Sequence, residues 1–254
     1  MSHFIIAAAQ ITCLAGNIDV NLKHHAHVVA LAAKQQVKLL IFPELSLTGY
    51  EPELARKLGI TLQDPRLETL RNQAKTHDMT IVIGAPLCCS DGDALFIGAI
   101  VFSPDGTLYS YTKQHLHGAE EAFFTAGQGG PLLPLGNKTL GLAICADIGV
   151  PSHPQFAADN GADIYGAGVL ISKPSYDKES AMMRCYAEKH AMTVIMANHC
   201  APTGGWIPAG KSAIWSELGH EIVVAPANQD ALAIATLTPQ GWKGHVELVS
   251  YQGI

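Results

Sequence analysis

Gly141-Leu142-Ala143-Ile144-Cys145-Ala146-Asp147 is an apolar run that reads as a buried strand delivering one thiol to a turn. A strand end is rigid and the loop that follows it is open, which is where an α/β protein usually holds a nucleophile against a ligand. Strand-like and helix-like segments alternate on both sides of this run. Upstream, Phe4 to Ile11 reads as a strand. An amphipathic stretch from Asp19 to Gln36 follows, with Leu22, Ala26, Val29, Ala30 and Ala33 at helical spacing. Val37 to Phe42 is a second buried strand, Leu67 to His77 a helix and Thr80 to Pro86 a third strand. Ala94 to Ser103 and Thr107 to Thr112 flank Pro104-Asp105-Gly106, the turn signal of a hairpin. Downstream, Asp163 to Ser172, Thr193 to Asn198, Ser212 to Trp215, Glu221 to Ala225 and Ala231 to Thr236 read as strands, with helices near Pro154 to Asn160 and Tyr176 to Ala191.

About ten strands with four or five helices is too strand-rich for one doubly wound sheet. The expectation is an α/β fold of two mixed sheets packed together, with helices on the outer faces. No linker, internal repeat or low-complexity segment divides the 254 residues, so a single domain over 1–254 is expected. Hydrophobic residues make up 48% and charged residues 15%, which allows a sizeable core and leaves a lean polar surface. That leanness favours a homodimer or higher homo-oligomer. A formal charge of -6 leaves no basic footprint for nucleic acid, and no run approaches the roughly 18 apolar residues of a membrane helix. Phe4 to Ala9 is too short for a signal peptide and has no Lys or Arg before it. The six cysteines, at 13, 88, 89, 145, 185 and 200, form no C-x-x-C pair and have no ligand-like spacing to histidine. A reducing compartment, the cytoplasm, suits them best, and no cofactor or metal is called for. Among the twelve histidines, His24, His25 and His27 read as a solvated helix face.

Three ionisable residues stand at strand ends: Glu44 after Ile41-Phe42-Pro43, Lys113 after Tyr109 to Thr112, and Cys145. Taken singly, each has a plainer reading: a core thiol, a cap or surface acid, a solvated lysine. Together they make an acyl-transfer kit of thiol nucleophile, carboxylate base and oxyanion-stabilising ammonium.

The motifs carrying these residues resemble those of the nitrilase, or carbon-nitrogen hydrolase, superfamily. They are Phe42-Pro43-Glu44-Leu45-Ser46-Leu47-Thr48-Gly49-Tyr50, Tyr111-Thr112-Lys113-Gln114-His115-Leu116 and the Cys145 run itself, followed by Gly161-Ala162-Asp163. The resemblance covers almost the whole chain in order. It implies a four-layer αββα sandwich, usually dimerised, and a Glu-Lys-Cys triad on Glu44, Lys113 and Cys145. It also implies a second glutamate after the lysine, which counting back from Phe123-Phe124 places at Glu120, with Glu121 as the alternative. In the mechanism so implied, Glu44 deprotonates Cys145 and the thiolate attacks an amide. Lys113 and the backbone N–H of Ala146 hold the oxyanion, and water then hydrolyses the thioester.

Family comparison also bears on the substrate. Nitrilases usually follow the nucleophile with Trp-Glu, whereas this chain has Ala146-Asp147, so a small amide is expected in place of a nitrile. Ile148-Gly149-Val150 supplies none of the arginines that carbamoyl-amino-acid hydrolases use on a substrate carboxylate. Ala146, Gly149 and Gly166-Ala167-Gly168 are small enough to leave space near the thiol. Tyr50, His117, Lys173, Tyr176 and Trp206 are candidates for lining it. The alternatives are an N-carbamoyl hydrolase or nitrilase with the same triad, an acyltransferase, a glutaminase serving a separate synthetase, and a binding scaffold.

Overall fold

A strand that is apolar at successive positions has to be covered on both faces, and the first strand, β1 (Phe4–Gln10), shows how this is done. Its Ile6 and Ala8 pack into the core between two sheets, while Ile5, Ala7 and Ala9 pack under helices. A computed structural model describes residues 3–88 and 93–251, so Cys89 lies outside the described residues. After β1 come α1 (Ile18–Lys34), β2 (Leu39–Ile41), α2 (Pro52–Leu58), α3 (Glu68–His77), β3 (Thr80–Cys88), β4 (Leu95–Phe102) and β5 (Leu108–Thr112). The second half contains β6 (Leu133–Leu135), β7 (Lys138–Ile144), α4 (Ser152–Asp159), β8 (Ile164–Val169), α5 (Tyr176–His190), β9 (Thr193–Asn198), β10 (Ala213–Trp215), β11 (Glu221–Val224), β12 (Ala231–Thr238) and β13 (Gly241–Leu248).

The strands form a seven-stranded sheet in the order β13-β12-β1-β2-β3-β4-β5 and a six-stranded sheet in the order β11-β10-β9-β8-β7-β6. Each sheet is mixed, with a parallel trio at its centre: β1-β2-β3 in one, β7-β8-β9 in the other. One core cluster lies between the sheets. A second packs α1 and α3 against the larger sheet, and a third packs α4 and α5 against the smaller, giving four layers. The expected sandwich is therefore present, with three elements the pattern reading did not name: α2, β6 and β13. The first two are too short to show a period. The third reads Gly-Trp-Lys-Gly-His-Val-Glu-Leu, a largely exposed edge strand without the apolar run used to find the others.

Two glycines control how closely the sheets approach. The segment leaving β2, Phe42-Pro43-Glu44, runs between Gly84 of β3 and Gly168 of β8. A Cβ on Gly84 would lie 2.8 Å from the carbonyl carbon of Glu44, and one on Gly168 would lie 2.7 Å from Phe42 O. The Gly166-Ala167-Gly168 run thus leaves no space for a ligand, contrary to the sequence expectation. Its missing side chains are replaced by the side chain of Ile41 and the backbone of residues 42–44.

Two buried histidines complete this clamp. His25 has no exposed surface and its ring stacks on Phe42 at 4.3 Å. Asn21 O, an acceptor only, lies 2.6 Å from Nδ1, so that nitrogen carries the proton. Nε2 then accepts from Ser46 Oγ at 2.9 Å, and Ser46 Oγ in turn accepts the Gly84 N–H. His199 Nε2 donates to Glu44 O at 2.6 Å. The solvated-face reading of the first helix fails at His25, which is core, and is incomplete for His24, which stacks on Tyr251 at 4.1 Å.

Gly84→Ala forces backbone against backbone, and overpacking of this kind should cost about 1–3 kcal/mol in a urea unfolding series. Burial lowers the pKa of His25 and of His199 from 6.5 to about 4, so both are neutral in the folded chain. The unfolded state then binds the extra protons, and this part of the stability is full above pH 6.5 and is lost as pH falls toward about 4. Between those limits wild-type stability should fall more steeply than that of His25→Asn by about 1.4 kcal/mol per pH unit, read from urea midpoints.

Candidate active site

Three strand ends converge at the seam between the sheets. Glu44 follows β2, Lys113 follows β5, and Cys145 follows β7 as the first residue of a 3-10 turn, Cys145–Gly149. The thiol sits on a sharp elbow: Cys145 has φ of +42°, a left-handed conformation that a side chain adopts only where its surroundings impose it. Glu120 comes from the 3-10 turn Gly118–Ala122 just beyond the lysine.

Lys113 is 1% exposed, and its Nζ lies 2.7 Å from Glu44 Oε1, 2.7 Å from Glu120 Oε1 and 2.8 Å from Glu120 Oε2. Glu120 is held on its other sides by Tyr50, whose hydroxyl donates to Oε1 at 2.7 Å, and by the His117 backbone N–H, which donates to Oε2 at 2.7 Å. Glu121, the alternative, points to solvent and has no part in this cluster. Glu44 Oε2 is buried and has no hydrogen-bond partner among the described residues, leaving one carboxylate oxygen free. The Cys145 thiol donates to Leu170 O at 3.7 Å, and Cys145 and Glu44 each shift the other's pKa.

One ammonium between two carboxylates cannot neutralise both. Burial raises Glu44 to about 7, against the opposing pull of Lys113 and with the added repulsion of Glu120. Burial works against the Lys113 charge, but Glu44, Cys145 and Glu120 outweigh it and hold the ammonium above the ordinary lysine range. Burial also pushes the Cys145 thiol well up, reinforced by Glu44 and opposed by Lys113. The resting pair is therefore a neutral thiol beside a carboxylate poised near neutrality, and the lysine stays charged. Such a set can pass a proton between sulfur and carboxylate while a fixed positive charge stands by.

A cavity of about 410 Å³ opens onto Cys145. Glu44, Glu120, Tyr50, His117, Ala146, Gly149 and Trp206, all singled out in the sequence, are among the residues that line it. Trp206 meets His117 edge to face at 6.4 Å. Two candidates are misplaced. Lys173 is exposed and is not part of the lining, and Tyr176 turns away, donating to Lys211 O at 2.9 Å with Lys211 Nζ 4.8 Å from its ring centroid. The lining also includes residues the sequence did not single out: Lys178, Glu179 and Met182 from α5, Ser172 and Ser175 before it, and Ile148 and Leu170. Only the packing of α5 reveals which face its first turns present.

Among the described residues no group of three or more His, Cys, Asp or Glu side chains is arranged to hold a metal ion, and no helix is long and apolar enough to cross a membrane.

Known proteins share both the fold and the arrangement of the chain. The chain is 28% identical over 224 residues to a nitrilase of Pyrococcus abyssi, covering 86% of this chain and 84% of that protein. It is 28% identical over 218 residues to a glutamine-dependent NAD(+) synthetase of Thermotoga maritima, but spans only 36% of that longer protein. Among solved structures, an amidase from Nesterenkonia sp. AN1 in complex with butyramide matches with a TM-score of 0.83 and 26% identity, covering 93% of this chain and 91% of that one. Another form of that amidase, also with a TM-score of 0.83, shows covalent addition of the acetamide moiety of fluoroacetamide at its active-site cysteine. The carbon-nitrogen hydrolase family model matches residues 5–244, a span that takes in most of both sheets and every residue of the buried cluster, so this chain belongs to the carbon-nitrogen hydrolase family.

Proposed function

We propose that the protein hydrolyses a small amide to its acid and ammonia through a thioester on Cys145. The observation that carries this reading is the buried Glu44–Lys113–Glu120 cluster beside the thiol, with Glu44 Oε2 left unpartnered where a proton acceptor is needed. Cys145 Sγ attacks the amide carbonyl and its proton passes to Glu44. The oxyanion is stabilised by the Lys113 ammonium and the backbone N–H of Ala146. Glu44 returns the proton to the departing nitrogen, ammonia leaves, and the same carboxylate takes a proton from the water that cleaves the thioester. Glu120 and Tyr50 hold Lys113 in place, since an ammonium with three donors needs fixed acceptors to stay aimed.

The amide preference is supported by the butyramide complex of the Nesterenkonia amidase and by the apolar wall of Ile148, Leu170, Met182 and Trp206, which suits a short acyl chain. Lys178 supports a second reading, an amide whose far end carries a carboxylate. It is a cation in the lining, supplied by α5 and not by the segment after the nucleophile.

Ammonia release from butyramide and from succinamate, measured side by side, separates these two readings. Cys145→Ala should abolish release from whichever is cleaved, and Lys113→Ala should lower kcat/KM by about a hundredfold or more. Full activity in Cys145→Ala would sink the thioester route. The base must be ionised to act, so its raised pKa moves the acid limb upward. Activity (kcat/KM) should fall as pH drops through about 7, not through the ordinary glutamate value of 4.5.

A further inference from the structure

Lys113 follows a strand of the seven-stranded sheet and Cys145 follows a strand of the six-stranded sheet. Among the described residues no backbone ladder joins the two, so the position of the ammonium relative to the thiol depends on how the sheets are registered across their packed faces. One fully buried carboxylate crosses that seam. Asp147 Oδ1 accepts the backbone N–H of Gln114 at 3.1 Å and of His115 at 2.9 Å. Its Oδ2 accepts the backbone N–H of Ile144 at 3.0 Å and the hydroxyl of Tyr111 at 2.7 Å. These partners flank the two reactive residues: Tyr111, Gln114 and His115 lie on either side of Lys113, and Ile144 immediately precedes Cys145. Asp147 itself is absent from the cavity wall, so it touches no substrate.

The carboxylate is braced from behind. Tyr111 spends its proton on Asp147, so its oxygen accepts from His153 Nε2 at 2.7 Å, and His153 Nδ1 then accepts from the Tyr165 hydroxyl at 2.8 Å. The relay runs from β8 through α4 to β5, and Tyr165, His153 and Tyr111 are all buried. These hydrogen bonds tie Asp147, through Tyr111, to α4 and β8.

We propose that Asp147, braced by Tyr111, His153 and Tyr165, is the positioning residue that sets Lys113 against Cys145 across the seam between the sheets. The proposal builds on the thiol chemistry proposed above, but its test reads the sulfur directly and does not depend on which substrate is cleaved. Iodoacetamide forms an S–C bond at Cys145 as iodide leaves and the thiol proton is released. The rate of this reaction therefore reports how well Lys113 favours the thiolate, and exposed Cys185 serves as the internal reference.

Two variants are compared with the wild type by peptide mass spectrometry across pH. Asp147→Asn keeps one accepting oxygen and turns an NH2 toward backbone N–H groups, and it should slow Cys145 labelling and lower kcat by about a hundredfold. Tyr111→Phe keeps the ring and removes only the hydroxyl, with its hydrogen bonds to Asp147 and His153, so it decides the matter if the first variant does not fold. It should slow labelling of Cys145, but not of Cys185, by about tenfold, move the labelling profile to higher pH, and lower kcat more than it raises KM. A folded Tyr111→Phe with a lower melting temperature but wild-type labelling, pH profile and kcat would make the network a strut only and overturn the proposal. Slowed labelling in a protein whose wild type releases ammonia from no amide would uphold the positioning role and overturn the amidase reading instead.

Discussion

A lysine ammonium removed from water between two carboxylates is the interaction on which the rest of this structure depends. Taking such a charge out of water costs several kcal/mol after relaxation, and only close, well-aligned partners offset it. Lys113 has both carboxylates at 2.7 Å, but the arrangement leaves one negative charge in excess. That excess bears on the protonation of Glu44. Burial and the neighbouring Glu120 charge destabilise ionised Glu44, so its carboxyl sits near neutrality and can take up and release a proton at little cost.

The fold is arranged to make this cluster possible. Glu44, Lys113 and Cys145 come from three strand ends in two different sheets, so no local segment contains the site. The glycines at 84 and 168 let the Glu44 backbone pass between the sheets. His25, through Ser46, and His199, through the Glu44 carbonyl, fix that backbone from both sides. Both rings are neutral, which suits a place where an added charge would disturb the balance at Lys113. The elbow at Cys145 is the corresponding feature in the second sheet, where a left-handed residue turns the thiol out of the strand and toward the cavity.

Much of this was legible in the order of residues. Apolar runs with turn signals between them marked most strands, because a strand covered on both faces must be apolar at consecutive positions whatever packs on it. Glu44, Lys113 and Cys145 were legible because polar residues at the ends of such runs are conspicuous, and because their motifs recur in family order. Counting back from Phe123-Phe124 favoured Glu120, and burial then set it apart from exposed Glu121. His25 was misread because its helix carries three histidines in four positions, and a helical period alone does not say which of them faces the sheet.

The sequence by itself determined the layered α/β class, the three ionisable groups and their attachment to strand ends, since these follow from local pattern and residue type. Only the tertiary structure decided the balance of charge among them, because desolvation and mutual distance exist only once distant segments meet. It also decided the walls of the cavity. Lys173 and Tyr176 precede or begin α5 yet face elsewhere, while Lys178, Glu179 and Met182 enter the site because the helix packs with that side toward Cys145. A helix direction is local, but the face it presents is set by everything it packs against.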